Sequence, residues 1–76
     1  MKMKRLTLPI VIEKDEDGYF VFCPVLQGCY TQGDTYEEAI ENIEDAIRLH
    51  LEDIIASDGA IPEVRTLILT TLEITV

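Results

Sequence analysis

Residues 28–39, with the sequence GCYTQGDTYEEA, place a sharp bend and a helix start within twelve positions. Gly28 and Gly33 permit backbone angles that other residues resist. Thr35 followed by Glu38 has the spacing of a capping box. In this motif the hydroxyl accepts from the N–H three residues on, and the carboxylate accepts from the N–H of the cap residue. The stretch predicts a short strand over residues 29–33, a tight bend, and a helix beginning directly after Thr35.

The residues before this stretch alternate between apolar and polar as strands do. Residues 4–14 predict a first strand with only one apolar side chain, Val11, on its outer side. The four apolar side chains on the other side are Leu6, Leu8, Ile10 and Ile12. Pro9 removes a hydrogen-bond donor, so we expect the strand to be unpaired or bulged on one side there. Residues 15–18 (DEDG) predict a turn, and residues 19–23 (YFVFC) a second strand in a hairpin. Because this loop is longer than a two-residue Asp-Gly turn, the register stays open.

After the bend, apolar side chains recur at helical spacing and predict one long helix over residues 36–57. They are Ala39, Ile40, Ile43, Ala46, Ile47, Leu51, Ile54 and Ile55. Gly59 is predicted to take the left-handed position that ends the helix, and Pro62 prevents a restart. Residues 64–76 then predict a final strand, with Ile68, Leu72, Ile74 and Val76 on one face and Leu67 and Leu69 on the other.

The order β-β-β-α-β predicts a two-layer α+β sandwich in a single domain over residues 1–76. If the third and fourth strands run parallel, the helical crossover between them is right-handed. One helix covers one sheet face, so we expect the other face to carry Thr7, Val11, Leu67, Leu69 and Thr71. An uncovered, partly apolar face on so small a domain usually meets another chain. We therefore expect a homodimer or a higher homo-oligomer.

The charge balance limits the partners. Fifteen acidic residues against six Lys and Arg give a net charge of −9, whereas nucleic-acid contacts require a cationic surface. Direct nucleic-acid binding is therefore not expected, and the acidity suits either a basic protein partner or solubility alone. No apolar run is long enough to span a bilayer, and the interrupted N-terminal run does not match an export signal. We expect no membrane association and a cytoplasmic location.

The side chains that carry chemistry are sparse, and their surroundings favour structural roles. Cys23 and Cys29 stand in an acidic context that does not lower a thiol pKa, and their spacing is not a familiar zinc pattern. His50 borders the apolar stripe of the helix, where a boundary residue is the simpler interpretation. The acidic pairs suit a solvated turn and helix capping better than acid–base catalysis. We expect no catalytic residue, no metal and no cofactor.

Five ordered segments together resemble the HicB family of antitoxins. They are residues 13–19 (EKDEDGY), 24–29 (PVLQGC), 31–39 (TQGDTYEEA), 42–43 (NI) and 45–47 (DAI). The resemblance covers roughly residues 4–55, and its most specific part is a GxxTxGDTxEEA string preceded by PxLxG. Seven residues form the signature of the fold, each with a role in a turn, a bend, a cap or the core: Gly18, Pro24, Gly28, Gly33, Thr35, Glu38 and Ala39.

The resemblance implies a partial ribonuclease-H-like sheet and a protein that blocks a small basic toxin, HicA, which cleaves messenger RNA. The acidic metal ligands of true ribonuclease H are not recognisable, so the resemblance does not make this chain a nuclease. Full-length relatives commonly add a C-terminal DNA-binding domain. The sequence ends at Val76 on the last predicted strand, so we expect no such domain here.

The sequence therefore predicts a non-enzymatic HicB-like antitoxin. Four acidic residues are the expected electrostatic contacts for the toxin: Asp15, Glu16, Asp17 and Asp34. The main alternative is an orphan self-associating module whose open sheet face binds another protein or a small ligand without a toxin partner. A third possibility is an enzyme using Cys29 or His50.

Overall fold

Three antiparallel strands form one sheet, and a single long helix packs on one of its faces. The structure, a computed structural model, describes residues 5–62 and 66–76. The strands are β1 (Val11–Asp15), β2 (Gly18–Phe22) and β3 (Tyr30–Gly33), in that spatial order, followed by α1 (Tyr36–Ala56). This arrangement confirms the α+β class and the predicted β-β-β-α order.

The β1–β2 hairpin closes over a two-residue turn. Asp15 and Gly18 are ladder partners, and Val11 pairs with Phe22 at the other end. The Asp15 carboxylate accepts a hydrogen bond from the Asp17 N–H at 2.8 Å, and Gly18 has a φ of +136°. The expectation of a longer loop is therefore wrong, because the turn side chain and Gly18 allow the shortest closure.

Strand β1 is shorter than the sequence predicts. Among the described residues it begins at Val11, and residues 5–10 form neither strand nor helix; Lys4 lies outside the described residues. Pro9 cannot donate to a ladder, in line with the expected loss of pairing there. Leu8, Ile10 and Ile12 nevertheless pack against the core, as their alternation predicts, whereas Leu6 is exposed.

The core lies between the sheet and α1. Its buried residues come from β2, from the β2–β3 connection and from the first turns of the helix: Val21, Cys23, Leu26, Cys29, Ala39 and Ile43. The helix approaches β3 closely, because a Cβ added to Gly33 would lie 2.5 Å from the Ala39 nitrogen and 2.9 Å from its Cα. A glycine at position 33 therefore fixes the distance between the two layers.

Both ends of α1 are capped. The Thr35 hydroxyl accepts from the Glu38 N–H at 3.1 Å, which confirms the predicted N-cap. The reciprocal bond from the Thr35 N–H to the Glu38 carboxylate does not occur in the described structure. At the other end the left-handed residue is Asp58 (φ 57°) and not Gly59. The Gly59 N–H donates to the Ile54 carbonyl at 2.8 Å, and an added Cβ would lie 3.3 Å from the Ile54 side chain.

The predicted fourth strand is not formed within the described residues. Residues 66–76 contain neither strand nor helix, and 64–65 lie outside the described residues. The expected crossover is thus not seen, and Thr7, Leu67, Leu69 and Thr71 are not part of the sheet. A strand needs the hydrogen bonds of a neighbouring strand, and the single chain does not supply them at this segment.

Candidate functional site

The hairpin turn, the end of β3 and the start of α1 surround an acidic groove of about 580 Å³. Five carboxylates line it, together with uncharged residues of β2 and β3: Glu13, Asp15, Asp17, Asp34 and Glu38. Three of the four acids expected from the sequence to contact a partner therefore lie on one concave surface. Glu16 stays exposed on the turn and does not line the groove.

Two glycines bring these acids together. A Cβ added to Gly18 would lie 2.8 Å from the Gly33 carbonyl oxygen, so the hairpin turn packs directly on the end of β3. Gly33 in turn packs on the backbone of Ala39 in the first turn of the helix. Because both contacts involve backbone atoms, a larger side chain in place of Gly18 or Gly33 would separate the turn from the helix start and widen the groove.

The carboxylates of the groove are not neutralised by a basic residue in its own lining. None of its lining residues is a Lys, Arg or His. Glu44 and Arg48 form an ion pair at 3.0 Å on the exposed side of α1. The Lys14 ammonium nitrogen lies 5.6 Å from the centre of the Tyr19 ring. In the described ranges, no group of three or more His, Cys, Asp or Glu residues is placed to hold a metal ion. The groove is therefore suited to cationic protein side chains.

The sheet face opposite the helix carries an aromatic patch, defined here as Phe20, Phe22 and Tyr30. The ring centre of Phe20 lies 6.1 Å from that of Phe22 and 5.9 Å from that of Tyr30, and Phe22 and Tyr30 are ladder partners. Phe20 is 38% exposed and Tyr30 63% exposed. An apolar cavity of about 410 Å³ adjoins the patch, and none of its eight lining residues is charged.

The aromatic patch is not among the features predicted from the sequence, although a signal for it was present. In residues 19–23, strict alternation places Val21 and Cys23 on the helix side and Phe20 and Phe22 on the other. Val11 faces the same side as Phe22, its ladder partner, as predicted. The sheet face opposite the helix is thus partly apolar, as predicted, but aromatic residues of β2 and β3 form most of its apolar surface.

The cysteines and the histidine have structural positions. Cys23 and Cys29 are both buried free thiols. Burial, with a smaller contribution from neighbouring Cys23, raises the pKa of Cys29, which keeps the thiol protonated and poorly nucleophilic. His50 Nε2 lies 3.2 Å from the Gln27 carbonyl oxygen and links α1 to the β2–β3 connection.

The remaining signature residues shape that connection. Gly28 has a φ of +77°, and the Cys23 N–H donates to the Cys29 carbonyl at 3.0 Å, closing the loop between β2 and β3. Pro24 is exposed at the start of this loop, where its missing N–H costs nothing. Within the described part of the chain, no helix is both long and apolar enough to cross a membrane.

Comparisons with known proteins agree on one family. Residues 8–73 match the model described as the HicB-like antitoxin of a bacterial toxin-antitoxin system. A UPF0150 protein of Helicobacter pylori is 48% identical over 64 residues, covering 84% of this chain and 89% of its own. A UPF0150 protein of Synechocystis is 51% identical over 55 residues, covering 71% and 70%. Antitoxin HicB 1 of Photorhabdus laumondii is 38% identical over 61 residues, covering 79% of this chain but 39% of its own. This chain therefore belongs to the HicB-like antitoxin family of bacterial toxin-antitoxin systems.

Proposed function

We propose that this protein binds and neutralises a small basic, mRNA-cleaving toxin of the HicA type, and that the acidic groove is its electrostatic contact surface. The observation that carries the proposal is the convergence of Asp15, Asp17 and Asp34 with two further carboxylates in one groove without a basic residue. Family membership supports the antitoxin role. The net charge of −9 supports a basic partner.

The proposed mechanism is occlusion without catalysis. A groove of about 580 Å³ admits several Lys or Arg side chains, and each would exchange water for a charge-assisted hydrogen bond. Complementary charge accelerates association and suppresses wrong partners more than it adds affinity. In this mechanism the toxin is held away from messenger RNA, and the antitoxin works in the cytoplasm as a self-associated, non-enzymatic protein.

The test is the association kinetics of the purified protein with a purified HicA-type toxin. Asp17→Lys with Asp34→Lys should lower the association rate constant about 10–100-fold at low salt, with a smaller effect at high salt. Asp15 is left intact because its carboxylate holds the hairpin turn. Glu52→Lys with Asp53→Lys is the matched control, because it makes the same charge change about 21 Å along the helix from Glu38.

A larger effect of the groove pair than of the control pair supports the proposal. Equal effects would mean that only net charge matters and would refute the groove as the contact surface. Rescue of growth on co-expression with the toxin tests neutralisation itself, and failure of the native protein to rescue would refute the antitoxin role toward that toxin.

The aromatic patch and its adjoining cavity favour a second candidate, an orphan self-associating module that binds another protein or a small apolar ligand without a toxin. The cavity is an open depression of about 410 Å³, and its lining is uncharged. The gene neighbourhood and growth assays discriminate the two. A toxic, basic partner encoded beside this chain supports the first candidate, and an isolated gene with no toxic neighbour supports the second.

A further inference from the structure

The C-terminal segment, residues 66–76, is an apolar strand sequence with nothing to pair with in the single chain. Seven of its eleven residues are β-branched, the class that favours strands, and Glu73 is its one charge. From Leu72 to Val76 the apolar residues strictly alternate with polar ones, and Leu72 is 84% and Ile74 74% exposed. Such an apolar face is unfavourable in water and predicts a protein contact.

The aromatic patch is the second unpartnered apolar surface of the chain. Its adjoining cavity is lined by β2, β3 and the loop between them, and it contains no charge. The two surfaces are complementary in chemistry, since one is a row of aliphatic side chains and the other is an open aromatic face. In a chain with a net charge of −9, both are nearly free of the acids that would repel a second copy.

The chain also exposes more surface than a folded monomer of its size. Its accessible area is 6927 Å², whereas a compact protein of 8.6 kDa exposes about 4,700 Å². The radius of gyration is 14.7 Å, against about 11 Å expected for 76 residues. The exposed C-terminal segment contributes to this excess, and packing it on a second copy would remove its apolar side chains from water.

We propose that two copies of this chain exchange their C-terminal segments, so that Leu72, Ile74 and Val76 of each copy pack on the aromatic patch of the other. The inference rests on the self-association included in the proposed function and names its surface. It does not depend on the toxin. The exchange is reciprocal, as two-fold symmetry requires. Each copy contributes its segment and its patch with the adjoining cavity, about 20 residues a side, which is the size of a standard stable interface.

The exchange leaves the acidic groove accessible. The groove lies at the hairpin-turn end of the sheet, whereas Phe22 and Tyr30 lie at the opposite end of the β2–β3 pair. A dimer formed in this way would display two acidic grooves beyond the buried patch.

The first experiment measures the mass of the full chain in solution by light scattering across concentrations. The native protein should be a dimer of about 17 kDa, twice the monomer mass. Ile74→Lys should weaken dimerisation about 100-fold or more, because it places a charge on the apolar side. Thr75→Lys adds the same charge on the opposite side of the segment and should leave the dimer intact. Circular dichroism of α1 checks that each variant is folded.

The second experiment locates the segment by disulfide cross-linking. A chain with Tyr30→Cys is mixed with a chain carrying Leu72→Cys, Ile74→Cys or Val76→Cys, and the mixture is oxidised mildly. Because the native thiols Cys23 and Cys29 line the cavity beside the patch, the native chain mixed with each C-terminal cysteine variant is oxidised in parallel as the control. A disulfide between the two different chains for at least one position is the expected result.

Three outcomes would overturn the inference in distinguishable ways. A native monomer at all concentrations refutes both self-association and exchange. A dimer that Ile74→Lys does not weaken refutes the surface but leaves self-association standing. In a further variant that carries Tyr30→Cys and Ile74→Cys in the same chain, a disulfide formed only within that chain shows that the segment returns to its own sheet.

Discussion

Replacing Gly33 by alanine tests the close approach between β3 and α1. The added Cβ would lie 2.5 Å from the Ala39 nitrogen, 2.9 Å from its Cα and 3.0 Å from the Glu38 carbonyl carbon. All three are backbone atoms, so no side chain can rotate away, and the helix start must move by about 1 Å to restore ordinary contact distances. Overpacking of this kind costs about 1–3 kcal/mol. In a chain of this length the total stability is only about 4–11 kcal/mol.

The assay is thermal unfolding at a fixed protein concentration, because self-association makes the Tm depend on concentration. One kcal/mol corresponds to about 4–8 °C in a domain of this size, so a loss of 1–3 kcal/mol should lower the Tm of Gly33→Ala by roughly 4–24 °C, about 12 °C at the middle of both ranges. Gly28→Ala is the matched control. Gly28, unlike Gly33, has a positive φ, but a Cβ there meets nothing within 4 Å, so only the backbone strain of about 1 kcal/mol applies.

A second variant decides whether the clash is with the backbone. Ala39→Gly removes the Ala39 side chain, but the Ala39 atoms that the new Cβ in Gly33→Ala strikes are the nitrogen and Cα. The double variant should therefore be less stable than Gly33→Ala alone, because glycine also weakens the helix by about 1 kcal/mol. Recovery of the Tm in the double variant, or a smaller loss for Gly33→Ala than for Gly28→Ala, would refute this account of the contact.

Two further predictions concern the thiols and the helix end. Because burial raises the pKa of Cys29, the folded state disfavours the thiolate, so the stability is intact below the ordinary thiol pKa and falls as the pH rises above it. Urea unfolding across this alkaline range should show the fall, and a Cys29→Ala variant should show less of it. Asp58→Gly should stabilise the chain by about 1 kcal/mol in the same assay, because it relieves the left-handed strain at φ 57°. Asp58→Asn separates this effect from the loss of a negative charge at the helix C-terminus, and a free energy of unfolding unchanged in both variants would contradict it.

The features that the sequence predicted correctly depend on neighbours a few positions away. The bend at Gly33, the cap at Thr35 and most of the apolar stripe of α1 are local, and they occur. The assignment of Ile55 to the stripe is wrong, because Ile55 is 61% exposed near the end of the helix. The C-terminal left-handed position was assigned to the wrong residue because Asp58 and Gly59 are both compatible with it. The choice depends on the contact between Gly59 and Ile54, which a sequence pattern does not contain.

The errors at the two ends of the chain have a different physical origin. Residues 66–76 alternate as a strand does, yet alternation describes only the side chains and not the hydrogen-bonding partner that a strand requires. The same limit applies to residues 5–10. They alternate, but β2 ends at Phe22, the ladder partner of Val11, so no further residue of β2 can pair with them. For the acidic groove, the sequence identified Asp15, Asp17 and Asp34. It did not show that the Gly18–Gly33 approach gathers them with Glu13 and Glu38.

Phe20 lines both the acidic groove and the cavity beside the aromatic patch. If the Phe20 ring shifts when two copies pair, the shape of the groove changes with it. Pairing of the two copies and binding of a basic partner in the groove are then linked by a coupling free energy. Thermodynamic reciprocity then requires that pairing alters the affinity for a basic partner by the same factor by which that partner alters pairing. In this way the Phe20 side chain would make the affinity for a basic partner depend on the concentration of the antitoxin itself in the cell.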